Sequence, residues 1–178
     1  VSPFYEDFKD FIENNKFDKI FNLNQKIQLE KNIEKVNLLK GSSMLFNLSM
    51  FKGKIFDEKF FFFFEEIDLC KRLTLNSDNM YLINSIKIKH SGNKGVENIN
   101  EHNINKFRNW HYYWSSFYYH KKHYGSYNSL RIHLRRLIKF FLLKNFYLFF
   151  NKALADMFEY RFKGLINSIK GNKSTEGP

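Results

Sequence analysis

The 178-residue chain reads as an α/β protein, with short strands and one helix over 1–100 and amphipathic helices over 101–170. Three observations predict this. Ile86 and Ile88 alternate with Lys87 and Lys89, the two-residue period of a strand. Residues 65–72 run from acidic to basic, the order that complements a helix dipole. Further on, Phe107, Trp110, Trp114 and Phe117 recur at helical spacing, and Leu130, Leu134, Leu137, Ile138, Phe141 and Leu142 form a second stripe beside Arg131, Arg135 and Lys139.

Each element follows in chain order. Residues 1–35 mix charges with Phe4, Phe8, Phe11 and Ile12 at helix-like spacing, which predicts short helices or an ordered loop. Val36, Leu38 and Leu39 lead through a turn at Gly41-Ser42-Ser43 to Met44-Leu45-Phe46, an apolar run suited to a buried strand. Residues 53–58 form a turn and connector, and the Phe block at 60–64 suits a core strand or a buried helix start. A helix is expected over 65–76 and a strand over 81–90, with His90 on its Ile face. Residues 91–101, with Gly92 and Gly95, form a loop; Gly125-Ser126 breaks the long aromatic helix; the tail 171–178 reads as disordered.

Composition narrows the classes. At 21.6 kDa the chain holds one domain with an appendage, and its start at Val1, without the pattern of a signal peptide, suggests a cut within a longer protein. Cys70 is the single cysteine, so there is neither an internal disulfide nor a zinc framework, and a reducing cytoplasmic location fits. Charge is unevenly placed: residues 1–105 carry 15 basic against 15 acidic side chains, residues 106–178 carry 14 against 3. Such a basic block points to a polyanionic partner or to a solvated face. A membrane span needs about 20 largely apolar residues, and Lys139, Lys144 and Lys152 interrupt the candidate.

The chemistry-bearing series is Gly41-Ser42-Ser43-Met44-Leu45-Phe46, then Gly53-Lys54-Ile55-Phe56-Asp57-Glu58-Lys59-Phe60-Phe61, then Glu65-Glu66-Ile67-Asp68-Leu69-Cys70-Lys71-Arg72, ending at His90-Ser91-Gly92. In its order it resembles the family-2 glycosyltransferases, particularly the rhamnosyltransferase-like ones. That family shows a glycine-led strand, a G-x-F-D-E-x-F-F segment, an E-D-x-D-L-C-x-R helix start and a strand ending in His. More weakly, Arg108-Asn109 and residues 118–123 resemble its post-catalytic segment.

The resemblance implies the C-terminal half of a GT-A nucleotide-diphospho-sugar transferase: an acceptor-side part over 1–100, then a helical basic and aromatic extension over 101–170. It implies inverting transfer from a nucleotide-sugar donor to a saccharide or lipid-linked acceptor in cell-surface polysaccharide synthesis. A carboxylate deprotonates the acceptor hydroxyl as that oxygen attacks the anomeric carbon. The E-D pair falls on Glu65 and Glu66, so Glu66 is the candidate base, with Glu65 contacting or orienting the acceptor or serving as the base itself. Gly41, Ser42, Asp68, Arg72 and Arg108 are the candidate substrate-binding residues, though a helical i,i+4 salt bridge also accounts for Asp68 and Arg72. His90 is the candidate metal residue, and Mg or Mn is expected in the complete enzyme. No D-x-D precedes the match, so the chain alone is expected not to turn over a nucleotide sugar.

Independently of the resemblance, Glu66 shares its helical stripe with Leu69, Cys70 and Leu73, which turns its carboxylate toward the buried face. Two acidic residues at a helix start also have a plain explanation in the dipole, worth about 0.3–1 kcal/mol. His102, His111, His120, His123 and His133 show no metal-ligand pattern, and surface roles are expected for them. Residues 106–170 carry 13 basic and two acidic side chains beside apolar stripes, a composition suited to an anionic membrane surface, and equally to stripes that pack as core. The first alternative places the protein on the inner face of the cell membrane. A basic module binding membrane or nucleic acid without catalysis is the competing class, although no RNA-binding signature accompanies the basic residues and nucleic acid is not an expected partner. Hydrolysis of glycosides is disfavoured, because it needs its carboxylates about 5–10 Å apart across a bond.

Overall fold

A computed structural model describes residues 27–30, 32–88 and 101–177. The described chain is mixed α/β and mostly helical, and it divides into two compact units: Val1–Ile55 with Glu66–His90, and Phe56–Glu65 with Ser91–Pro178.

In the first unit, β1 (Ile27–Glu30), β2 (Ile33–Val36) and β3 (Met80–Ile83) form an antiparallel sheet in that order. The pairing sets Ile27 opposite Lys35 and Val36 opposite Met80, so β2 is the central strand. Val36 and Met80 are buried, whereas Tyr81, Leu82 and Ile83 are exposed. Helix α1 (Glu65–Leu75) buries Ile67, Leu69 and Cys70. It stops in a Schellman geometry: the Asp78 amide donates to the Leu73 carbonyl and the Ser77 amide to that of Thr74, with Ser77 in the left-handed region at φ 62°.

Three local expectations give way here. The hairpin of β1 and β2 occupies 27–36, where short helices or a loop were predicted, because the two segments find each other as partners. Met44-Leu45-Phe46 forms no strand and Leu45 is fully exposed: an apolar run becomes a strand only beside a strand that can bond it, and none lies there among the described residues. The strand expected over 81–90 ends at Ile83, with a turn at 84–85, and Ile86 and Ile88 are both exposed. Asn84 holds that turn, its amide donating to the Asn32 carbonyl and its Nδ2 to Glu34 Oε1 at 2.8 Å.

The second unit is a helical bundle. Helix α2 (Glu101–Tyr147) is broken at Gly125, whose φ of 84° and ψ of 162° belong to a region open essentially to glycine. Ring contacts of His120 with His133 and of Tyr113 with Phe140 show that the arms, 101–124 and 126–147, fold back antiparallel. Helix α3 (Lys152–Lys170) returns along both arms, capped at its start by the Asn151 side chain, which accepts from the Leu154 amide. Tyr147 stacks on Phe158, Arg161 donates to Asn109 Oδ1 at 2.7 Å, and Phe117, Phe140 and Leu165 form the core.

The first arm is buried on every side between Asn109 and His120, with Tyr113 and Tyr118 only partly exposed. Segment 56–65 covers one side: Phe60 packs edge-on against Tyr118 and Phe64 against Tyr112 and Tyr119. Phe63 and Phe64 adopt left-handed φ values of 65° and 69°, a strained geometry that rules out the core strand considered for the block. Residues 171–177, read from the sequence as a disordered tail, cover another side. Ser174 is buried and donates to the Lys59 carbonyl, and the Trp114 indole donates to the Asn172 carbonyl at 3.1 Å. Among the described residues no helix is long and apolar enough to cross a membrane.

Candidate functional site

The start of α1 collects the principal candidate residues of the first unit. Glu66 lies in its first turn, half-buried, with its side chain along Gly41: a methyl group built on Gly41 would meet Glu66 Cβ at 3.4 Å and its carboxyl carbon at 3.6 Å. The glycine turn and the glutamate, 25 positions apart, are therefore neighbours, with room between them for no more than a methyl group at ordinary van der Waals distance. Ser42 stands exposed in the same turn.

One turn along, Cys70 is buried, and its thiol lies between the backbone groups of Leu39: the Leu39 amide donates to Sγ at 3.4 Å. Burial pushes this thiol up to about 11, and the negative charge of Glu66 adds to the effect. Cys70 is thus a structural thiol, and its spacing of four residues from Glu66 puts the two on the same side of α1.

Asp68 and Arg72 brace this arrangement. Asp68 is fully buried and accepts from Arg72 Nε at 2.9 Å, while the other end of the guanidinium donates to the Ile55 carbonyl. The pair fastens the connector to the helix, which is a positioning role. Glu65, the first residue of α1 and the last of segment 56–65, is half-buried, and its Oε2 is a buried oxygen with no hydrogen-bond partner among the described residues. A carboxylate oxygen in that condition is costly to keep and is open to a donor such as a hydroxyl.

Arg108 lies half-buried on the first arm of α2, in the helical unit. His90, proposed from the sequence as a metal residue, lies outside the described residues. Among the described residues no three His, Cys, Asp or Glu side chains stand together as a cation site.

The helical unit holds two polar clusters that sequence reasoning missed. Asp57 accepts from Tyr118 Oη at 3.0 Å, Lys122 Nζ at 2.8 Å and the Lys59 amide at 3.0 Å. Burial raises its pKa, but these donors outweigh burial and hold the carboxyl below its ordinary value. The other cluster joins the arms of α2. His133 Nδ1 faces the Ser129 carbonyl at 2.9 Å, and a carbonyl only accepts, so Nδ1 carries the proton. Ser116 Oγ, 3.0 Å from Nε2, then donates to the bare nitrogen. His120 Nδ1 donates to the Ser116 carbonyl at 2.7 Å, and Ser129 Oγ to that of Phe117.

Ser116 and His133 have the geometry of a nucleophile and its base. Both are fully buried, so no substrate reaches them and the cluster serves as a clasp between helices. His111, His120 and His133 are interior residues, contrary to the surface roles expected, because the helical pattern turns them toward neighbours far along the chain. The signal available for His120 was its place three residues after Phe117, one helical turn along from an aromatic position.

No protein-family model, curated protein or solved structure matches this chain.

Proposed function

We propose that the chain is the acceptor-side part of an inverting, nucleotide-sugar-dependent glycosyltransferase of the GT-A, family-2 type. The reading rests on the ordered series 41–46, 53–61 and 65–72, and on one contact that supports it: Glu66 lies against the glycine turn at the head of α1. In this reading Glu66 accepts the proton of an acceptor hydroxyl as that oxygen bonds the anomeric carbon and the nucleoside diphosphate departs. Glu65, with its buried oxygen lacking a donor among the described residues, receives a second hydrogen bond from the acceptor and orients it. Asp68 and Arg72 hold the helix start in place and do not touch substrate. The donor and its divalent metal, Mg or Mn, are taken by the preceding part of the complete enzyme, and the acceptor is a saccharide or lipid-linked saccharide.

The test is transfer by the complete enzyme from a panel of nucleotide sugars to lipid-linked saccharide acceptors. Glu66→Gln is expected to lower kcat by about 10²–10⁴-fold, the range of general-base catalysis, with donor binding unchanged. Glu65→Gln is expected to act chiefly on acceptor KM. A Glu66→Gln enzyme that transfers at the wild-type rate would overturn the assignment.

A further inference from the structure

The second arm of α2 has apolar residues on two faces, and bundle packing uses only one. Ser129, His133 and Phe140 are buried inward, and Leu137 packs against the core beside them. On the outward face, Leu130, Leu134, Ile138 and Leu142 are exposed, Ile138 by 52% and Leu142 by 60%, and half-exposed Phe141 borders them where its ring meets Phe162 of α3. The ridge continues into Phe146, Phe149 and Phe150, at the turn into α3. From residue 130 to 147 it rises about 1.5 Å per residue, roughly 25 Å of apolar helix surface. Isolated exposed leucines need no explanation, but a continuous ridge ending in three exposed phenylalanines does.

Charge indicates what covers it. Arg131, Arg135 and Lys139 are exposed alongside the ridge, and residues 126–155 contain six basic side chains, Arg131, Arg135, Arg136, Lys139, Lys144 and Lys152, with no acidic one. Face-to-face pairing with a second copy would bring Arg131, Arg135 and Lys139 against their own kind, which opposes self-association. A surface that accepts apolar side chains to a shallow depth and is negative at its rim satisfies both features.

We infer that the outward face of residues 130–150 is a docking surface for an anionic lipid bilayer, with the ridge inserted among the headgroups and the arginines and lysine at phosphate level. This inference stands independently of the glycosyl-transfer reading.

The experiment is co-sedimentation of the folded chain with phosphatidylcholine vesicles and with vesicles of equal parts phosphatidylcholine and phosphatidylglycerol. Binding is expected to the anionic vesicles and to weaken with salt, since surface charges are screened. Leu134→Glu with Ile138→Glu is expected to weaken it at least about tenfold, and Arg131→Gln with Arg135→Gln and Lys139→Gln to remove the preference for anionic lipid. These positions are exposed, so circular dichroism and thermal unfolding should match wild type. Absence of binding to anionic vesicles at low salt, or undiminished binding by the Leu134 and Ile138 variant, overturns the inference. It is equally overturned if light scattering shows a dimer that this variant abolishes, or if an oligonucleotide binds and the vesicles do not.

Discussion

Gly164 of α3 lies directly on the backbone of Trp110 in the first arm of α2. A methyl group built on Gly164 would stand 3.0 Å from the Trp110 carbonyl carbon and closer still to its oxygen. The obstacle is main chain in the middle of a helix, so it has no rotamer by which to move aside. This contact sets how near α3 comes to the central arm, and with it the seating of Leu165 in the core.

Gly164→Ala should therefore destabilise the protein despite the better helix propensity of alanine. Overpacking of this kind costs about 1–3 kcal/mol, against a propensity gain of about 1 kcal/mol. Urea unfolding followed by helical circular dichroism should show a lower midpoint, and an unchanged or raised midpoint would mean that the helices lie further apart.

The histidine clasp predicts acid sensitivity. Burial disfavours the charged ring of His133, helped by His120 and Arg136, and lowers its pKa to about 3; burial alone lowers that of His111 to about 4. A folded-state pKa below the unfolded value means that the unfolded chain binds the extra proton. The stabilisation is complete above 6.5 and is lost as pH falls toward 4 and 3. Each pH unit below that point should cost about 1.4 kcal/mol per ring. Urea midpoints compared at neutral and mildly acidic pH measure the slope, and His133→Gln should reduce it.

Asp57 joins segment 56–65 to the central arm through Tyr118 and Lys122. Asp57→Ala removes the carboxylate that accepts from both Tyr118 and Lys122, with an expected loss of about 1–3 kcal/mol. Tyr118→Phe removes the hydrogen bond from Tyr118 to Asp57 and should cost about 1 kcal/mol. Equal losses for the two variants in thermal unfolding would show that Lys122 adds nothing to the joint.

Ser77 occupies the left-handed position that ends α1, where a side chain meets the following carbonyl. Ser77→Gly should remove this strain and raise stability by about 1 kcal/mol, seen as a higher urea midpoint. A lower midpoint would mean that the serine hydroxyl contributes more than its backbone costs.

Cys70 should resist alkylation in the folded protein. Only the thiolate reacts, and a buried thiol titrating at about 11 is almost wholly protonated near neutral pH. Iodoacetamide labelling followed by mass spectrometry should show slow modification in buffer and rapid modification in denaturant. Rapid labelling in buffer would show that the start of α1 opens.

Much of this protein is determined within short stretches of chain. The acidic-to-basic order of 65–72 predicted a helix over 65–76 and α1 spans Glu65–Leu75, because capping charges act within a single turn. Gly125 breaks the long helix where its lack of a side chain admits a backbone that other residues avoid. The lopsided charge of 106–178 is likewise a property of the sequence alone. Tertiary structure decided the rest. Met44-Leu45-Phe46 has the composition of a strand and, among the described residues, no strand to pair with, while the segments 27–30 and 33–36 pair with each other. The aromatic period of the first arm suggested one buried face, yet segment 56–65, the second arm, α3 and the tail surround it and draw His111, Ser116 and His120 inside. The contact of Gly41 with Glu66 joins residues 25 apart. Periodicity and breakers are local, whereas burial and pairing depend on which distant segment arrives, and no single stretch of sequence contains that information.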